Sequence, residues 1–342
     1  MQTAMLLHPK VGGDQRAMPT DREKSFHEPV MPDEVCGFLS PCLSSGTVVD
    51  ATVGGGGHTR HLIEHSAARA SGTTRILGVD IDHEALTHAH RILQGSACRV
   101  VLADSNEDAA SEAMVCRVAS SVILVHSSYV DMESVVDRLG LRPVTGVLFD
   151  FGVSLHQLTT PGRGFGHDVV GDADMRFDPR SSCPPAWELL QRATESEVAD
   201  WLRRYGDEPN SRRIARRLCR ERGRIRTTED IVRVVAASVP VSRLRRSLAR
   251  VFLALRIAVN RELDTVRKGL AVALRLLEQR GRLVAISYHS GEDSLVKSAL
   301  RDGARAGRLQ LLTRKPMRPA FAEVQRNPRA RSARLRAAEV RA

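Results

Sequence analysis

Aromatic side chains are scarce in this 342-residue chain: 2 Trp, 3 Tyr and 8 Phe. Lysine is scarcer for so basic a protein, 5 residues against 46 Arg. A GC-rich coding sequence favours Arg codons, so the ratio alone assigns no function. No uncharged apolar run of ~18 residues occurs, which excludes a spanning helix. Met1 to Thr20 has no basic start followed by an apolar run, so no secretory signal is expected, and residues 1–25 read as a disordered leader. The six cysteines, Cys36, Cys42, Cys98, Cys116, Cys183 and Cys219, form no C-x-x-C pair and no zinc-type cluster with histidine. We expect no metal site, and read them as reduced, small buried hydrophobes in a cytoplasmic protein. A G-x-G-x-x-G dinucleotide fingerprint, a Walker phosphate loop and an internal repeat are also missing.

What the chain does have is 42 % apolar residues, enough for a packed core, and a net charge of +11. The length fits one large domain or two smaller ones. The positive charge is concentrated. Arg203 to Arg226 carries ten Arg and three acids, and Arg301 to Ala342 carries eleven Arg, one Lys and three acids. Together these two stretches exceed the whole-chain charge, so the remainder is net acidic. Such concentration suits a polyanion partner, and equally a solvated helix face with a basic tail. Arginine's planar fork matches phosphate oxygens in pairs.

Globular pattern starts near Pro29. Met31 to Leu39 reads as a helix opened by Pro32 and Asp33. Strands are expected at Thr47–Thr52 and Arg75–Asp80, with helices at Thr59–His65 and Glu84–Leu93. This β-α-β order indicates a parallel sheet covered by helices. Val100–Leu102 is a possible strand and Ser121–Val125 a stronger one; Ser105 to Val118 reads as an added helix or loop. Gly146–Phe151 is a clear strand. Gln157 to Arg180 is loop-like, residues 185–248 are helical, Val251–Glu278 is strongly helical, and Leu283–Tyr288 returns to strand. The sheet is therefore expected to be interrupted by a helical insert.

Where the first strand meets its helix lies Asp50-Ala51-Thr52-Val53-Gly54-Gly55-Gly56-Gly57-His58. Glycines there let the backbone approach a ligand. The next strand ends at Asp80, where an acid can accept both ribose hydroxyls of a nucleoside. Lacking the dinucleotide and Walker patterns, the loop favours S-adenosylmethionine over NAD or ATP. A glycine-rich turn with no ligand remains the plain alternative.

These residues, taken with others in order, resemble the RsmH (MraW) family of bacterial S-adenosylmethionine-dependent methyltransferases, which modify a cytidine amine in small-subunit ribosomal RNA. The matching pieces are His27-x-Pro29-Val30, the glycine loop, Asp80-x-Asp82, and Asp150-x-Gly152-Val153-Ser154 with Gln157-Leu158. Further along come Arg163-Gly164-Phe165, Asp174-Met175-Arg176 and Leu255 to Leu263. Ile286 to Asp293 and Asn327-Pro328-Arg329-Ala330-Arg331-Ser332 complete the set.

The resemblance implies an α/β fold: a Rossmann-like class I methyltransferase sheet formed by residues 26–155 and 249–342, with a helical substrate-recognition insert over 156–248. It implies that Gly56, Gly57 and His58 line the methionine and ribose part of the cofactor, that Asp80 holds the ribose, that Tyr129 flanks the adenine, and that Gln157 is a further contact. Asp150 would end a strand beside the reactive methyl, as the acceptor for the cytidine amine or as a cofactor ligand. The implied partner is small-subunit ribosomal RNA or the assembled small subunit, with no membrane role; nothing sets an oligomeric state. His289 and Arg176 read as structural, and Trp187 and Trp201 as core. Several positions depart from the family: residues 247–253, Leu155-His156, Tyr288 and Gly291, and about 25 extra residues between Asp80 and Tyr129. The cofactor motifs are the better kept. A diverged paralogue with another substrate, and an inactive RNA-binding assembly factor, are the alternatives this leaves.

Overall fold

Val48 and Val49, Ile76 and Leu77, and Leu148 and Phe149 are neighbouring pairs, and all six residues are buried. In a strand, neighbours point to opposite faces, so such pairs demand a sheet covered on both sides. A computed structural model describes residues 29–44, 46–67, 75–94, 96, 98–103 and 120–342, and shows that sheet. In chain order its first half runs α1 (Pro32–Leu39), β1 (Thr47–Asp50), α2 (Gly57–Ala67), β2 (Arg75–Asp80), α3 (His83–Leu93), β3 (Arg99–Ala103), β4 (Ser121–His126), α4 (Met132–Arg138) and β5 (Val144–Asp150). Then come α5 (Leu155–Thr159), α6 (Ala186–Arg192), α7 (Glu195–Arg204), α8 (Ser211–Glu221), α9 (Thr228–Ala236) and α10 (Val241–Asn260). The chain closes with α11 (Glu262–Leu276), β6 (Leu277–Ser287), α12 (Ser290–Arg305), β7 (Leu309–Leu311), α13 (Phe321–Arg326) and β8 (Arg334–Val340).

The strand order is β3-β4-β2-β1-β5-β6-β8-β7. Pairing is parallel from β3 through β6 and antiparallel at β8 and β7. From β1 the chain first winds outward through β2, then returns to place β5 on the other side. That reversal opens a crevice beyond the carboxyl ends of β1 and β5, where open α/β sheets bind ligands. Val49, Leu77 and Phe149 pack with α4, α11 and α12 on one face; Val48, Ile76 and Leu148 pack with α1, α2 and α3 on the other. A third core, including Met175, Ile214, Leu218, Val251 and Leu255, belongs to the helices between β5 and β6. The Rossmann-like sheet with added helices is the fold expected from the sequence.

Several local expectations change. Val251–Glu278 is two helices and the start of a strand. The break falls at Arg261, which takes φ 49°, while Glu262 turns back to receive two hydrogen bonds from Arg256 at 2.7 and 2.8 Å. The strand expected at 283–288 starts six residues earlier. The C-terminal basic stretch is no tail: it supplies β7, α13 and β8, and Arg336 lies buried against Asp293 at 2.8 Å. Trp187 and Trp201 sit half-buried at the edge of the third core, and the guanidinium of Arg226 lies 3.9 Å above the Trp187 ring. Cys36 and Cys42 are buried, but Cys183 is exposed. The leader, the 105–118 segment, His27 and Cys116 lie outside the described residues.

One glycine connects packing to the crevice. A Cβ on Gly269 of α11 would fall 2.5 Å from the ring of Tyr129. That ring is boxed in by Phe149 at 5.5 Å and Phe151 at 6.3 Å, both edge-to-face. Helix propensity alone favours Ala over Gly by about 1 kcal/mol. Overpacking costs about 1–3 kcal/mol, and here it should win. Gly269→Ala should lower stability in urea unfolding; a more stable variant would show that the Tyr129 ring has room to move.

Candidate active site

The crevice gathers carboxylates. Asp50 and Asp150 end β1 and β5, Asp80 ends β2, and Asp82 follows it. Each is buried or nearly so, and a buried carboxylate needs donors. The glycine loop supplies some of them. The Gly54 N–H donates to Asp80 Oδ2 at 2.7 Å, and the Asp82 N–H donates to Asp80 Oδ1 at 2.8 Å. Gly54 holds φ 50°, a left-handed conformation that suits glycine, and a Cβ there would meet only one atom, at 3.8 Å. Thr52 receives the Asp150 N–H on its hydroxyl at 2.7 Å, which fastens the loop to β5. Thr59, in the first turn of α2, donates to Asp50 Oδ2 at 2.7 Å.

Asp82 is the tie to the helical region. Its Oδ1 caps α3 by accepting from the Glu84 N–H at 3.0 Å. Its Oδ2 accepts from Gln157 Nε2 at 2.7 Å and from Arg163 Nη2 at 2.8 Å. Arg163 also donates to Glu84 at 2.9 Å and to the Phe177 carbonyl at 2.9 Å. Asn260 holds the other side of that loop, accepting from the Phe177 N–H at 2.9 Å and donating to the Met175 carbonyl at 2.7 Å. Phe177 thereby becomes a wall of the crevice.

Among the described residues, two side chains that meet Asp150 are Tyr288 and His58. Tyr288 donates its hydroxyl to Asp150 Oδ1 at 2.7 Å, and His58 Nε2 lies 3.3 Å from Oδ2. Burial pulls the His58 pKa down, but Asp150 and Asp50 outweigh it and the net shift is upward. Burial raises the Asp50 pKa against the opposing pull of His58 and Thr59. Burial also pushes Asp80 up to about 7, despite its two backbone donors.

The site residues expected from sequence separate into two groups. Gly57, His58, Asp80, Tyr129, Asp150 and Gln157 all line the crevice. Gly56 instead turns toward α3, where a Cβ would meet Ala89 at 3.2 Å and Leu93 at 3.4 Å; Gly54 takes the lining place. Gln157 has its amide engaged by Asp82 and by its own helix cap, where Oε1 accepts the Ser154 N–H at 3.0 Å. Tyr288, Phe177, Glu262 and Glu292 also line the crevice, and sequence reasoning did not place them there. His289 and Arg176 are structural, as expected. His289 opens α12 with Nε2 3.1 Å from Glu292, and Arg176 grips Asp174 with two bonds at 2.9 and 2.7 Å.

Two observations fit a nucleoside cofactor. The buried Nδ1 of His58 has no hydrogen-bond partner among the described residues. Asp80 faces the crevice with carboxylate lone pairs beyond the two its backbone donors occupy. Glu262, His289 and Glu292 place ligand atoms within 4.8 Å of one another, a spacing that could hold a metal ion. Arg256 already occupies both Glu262 oxygens, and Glu292 accepts the Tyr288 N–H at 2.8 Å, so ion pairing and helix capping account for this cluster.

The chain matches the model of the MraW methylase family over residues 24–341. It is 39 % identical over 337 residues to the ribosomal RNA small subunit methyltransferase H of Thermomicrobium roseum, covering 93 % of this chain and 95 % of that protein. It is 38 % identical to the protein of that name from Koribacter versatilis, covering 92 % and 94 %. Among solved structures, an rRNA methylase from Streptococcus thermophilus aligns with a TM-score of 0.41 at 12 % identity, covering 90 % of this chain and 95 % of that one, too remote to argue from.

Arg163→Leu leaves the buried Asp82 unpaired and should cost about 3–5 kcal/mol of stability in urea unfolding. Adding Asp82→Asn should recover part of that loss, because the unpaired charge is its main source. Asp80 makes a second, pH-linked prediction. Folded, it keeps its proton up to about pH 7; unfolded, an aspartate loses it near ~3.9. Its contribution to stability is thus fully present below about pH 4 and is lost as pH rises toward 7. Thermal unfolding of Asp80→Asn should show a weaker decline than the parent across that window; parallel curves would refute the assignment.

Proposed function

Because this chain belongs to the MraW methylase family, we propose that it transfers a methyl group from S-adenosylmethionine to small-subunit ribosomal RNA, at the exocyclic N4 amine of a cytidine in the decoding region. The observation that carries the reading is the grouping of Gly54, Gly57, Asp80, Tyr129 and Asp150 around one crevice in a chain of this family. S-adenosylmethionine, when bound, supplies a methyl group already activated by its sulfonium. The protein's task is chiefly alignment, which can supply several kcal/mol.

Asp80 accepts the ribose hydroxyls, and its ionised form is the better acceptor. Tyr129 offers its ring to the adenine. Gly54 and Gly57 keep the loop free of side chains, and His58 offers its open Nδ1 to the polar end of the cofactor. A cytidine amine is a poor nucleophile, since its lone pair is delocalised into the ring. Asp150 accepts a hydrogen bond from that amine and so helps localise the pair. Tyr288 and His58 hold the carboxylate in place for this. Gln157 serves through Asp82, by fixing the loop that carries Asp80 against the helical region. The two arginine-rich stretches suit RNA phosphate, and the helices over 156–248 are the proposed recognition region. A cytoplasmic location follows from that substrate; among the described residues no helix is long and apolar enough to cross a membrane.

The test is methyl transfer from labelled S-adenosylmethionine to small subunits from a strain lacking this gene, followed by nucleoside analysis. N4-methylated cytidine should appear, and Asp150→Ala should slow its formation by about 10²–10⁴-fold. Cofactor binding without any transfer to ribosomal RNA would reject this substrate and favour the diverged-paralogue reading.

A further inference from the structure

A second cavity shares the wall formed by Gly152, Val153 and Tyr288 with the crevice. Asp150, held by Tyr288, stands at that wall. The charged part of the remaining lining is basic: Arg256, Arg326, Arg329 and Arg331 contribute, no acid does, and Leu155, Leu158 and Pro328 lie among them. Arg256 is neutralised by Glu262. The other three guanidinium groups meet no carboxylate among the described residues. This contrasts with Arg334 and Arg336 a few residues on, which both pair with Asp293. Partial burial lowers the Arg329 pKa and no neighbouring acid offsets it.

The backbone that carries these exposed arginines is anchored. Arg329 and Arg331 lie within a 3₁₀ turn, Pro328–Ser332, which Asn327 caps by accepting the Arg329 N–H at 3.3 Å, and Arg326 ends the helix just before it. Ala330, between Arg329 and Arg331, is fully buried and anchors the turn in the core. Unpaired cations on an anchored turn, beside a reaction crevice, call for an anion supplied by the substrate. A further hollow continues from this cavity past Arg256 and Arg329 to Ala249, Phe252 and Leu253. These three lie within the run that departs from the family pattern. The hollow sets apolar side chains next to the cations, with His167 and Asp168 also on its wall, which suits a base joined to a phosphate better than a free anion.

We propose that the arginine-lined cavity seats the phosphodiester adjoining the target nucleotide of a single-stranded RNA segment. This deepens the function proposed above and rests on it for the identity of the substrate. Arg329 and Arg331 position RNA; they take no part in the chemistry.

The test is fluorescence anisotropy with a short single-stranded RNA, titrated at several salt concentrations. Each neutralised phosphate contributes a slope of about −0.7 in log K against log salt. The double variant Arg329→Gln/Arg331→Gln should therefore bind more weakly, with a slope shallower by about 0.7 for the one phosphate lost. Arg329→Lys/Arg331→Lys should restore most of the slope, and S-adenosylmethionine affinity should be the same in all three proteins. Inorganic phosphate at matched ionic strength should not displace the RNA. An unchanged slope in the Gln variant, efficient displacement by phosphate, or no RNA binding by the parent protein would overturn the proposal. Methyl transfer to small subunits is read separately: its absence alongside a shifted slope would reject the proposed reaction while keeping this site.

Discussion

The burial of four aspartates at one edge of a parallel sheet is the constraint from which the rest of the site follows. Each strand of a doubly wound sheet ends in the same place, so Asp50, Asp80, Asp82 and Asp150 converge. Left without donors, they would repel one another and lose their hydration. The structure answers with a different partner for each. Asp50 takes Thr59, Asp80 takes two backbone N–H groups, Asp82 takes Arg163 and Gln157, and Asp150 takes Tyr288 with His58 close by. The partners of Asp82 and Asp150 come from distant parts of the chain, so their arrangement exists only in the assembled fold. The Arg163–Asp82 pair spans 81 residues of sequence, and its side chains are 6 % and 2 % exposed. It couples the helical region to the loop that presents Asp80.

Much of this was legible in the sequence, for local reasons. The buried strands announced themselves as short apolar runs, and the glycine loop and Asp80 sat where a strand meets a helix. The fate of individual glycines was not legible. Four in a row look alike, yet Gly54 borders the crevice while Gly56 packs against Ala89, a distinction that depends on where α3 lies. The break at Arg261 carried no Gly or Pro to mark it; it is made by the Arg256–Glu262 pair, a tertiary arrangement. Strand β8 was hidden by its charge, and β7 by its length of three residues. Arg334 and Arg336 read as tail residues until Asp293 is placed beside them.

Gln157 shows how a motif residue can border a crevice with its side chain already engaged. It borders the crevice, but its amide is spent on Asp82 and on the cap of α5. Tyr288 is the reverse case. It stood out only as a departure from the family pattern, and the structure makes it the hydrogen-bond donor to Asp150. Chemistry at this site is thus set by which carboxylates keep their charge, and the surrounding donors are arranged unequally to decide it.

Asp80 is where that principle bears most directly on the proposed ribose contact. Its pKa of about 7 in the ligand-free protein means that it is part protonated near neutral pH, and ribose hydroxyls would favour the ionised form. Calorimetric titration of S-adenosylmethionine in buffers of different ionisation enthalpy counts the protons exchanged on binding. The account predicts release of a substantial fraction of a proton near pH 6.5, falling toward none at pH 8.5. Binding with no proton release at the lower pH would contradict it.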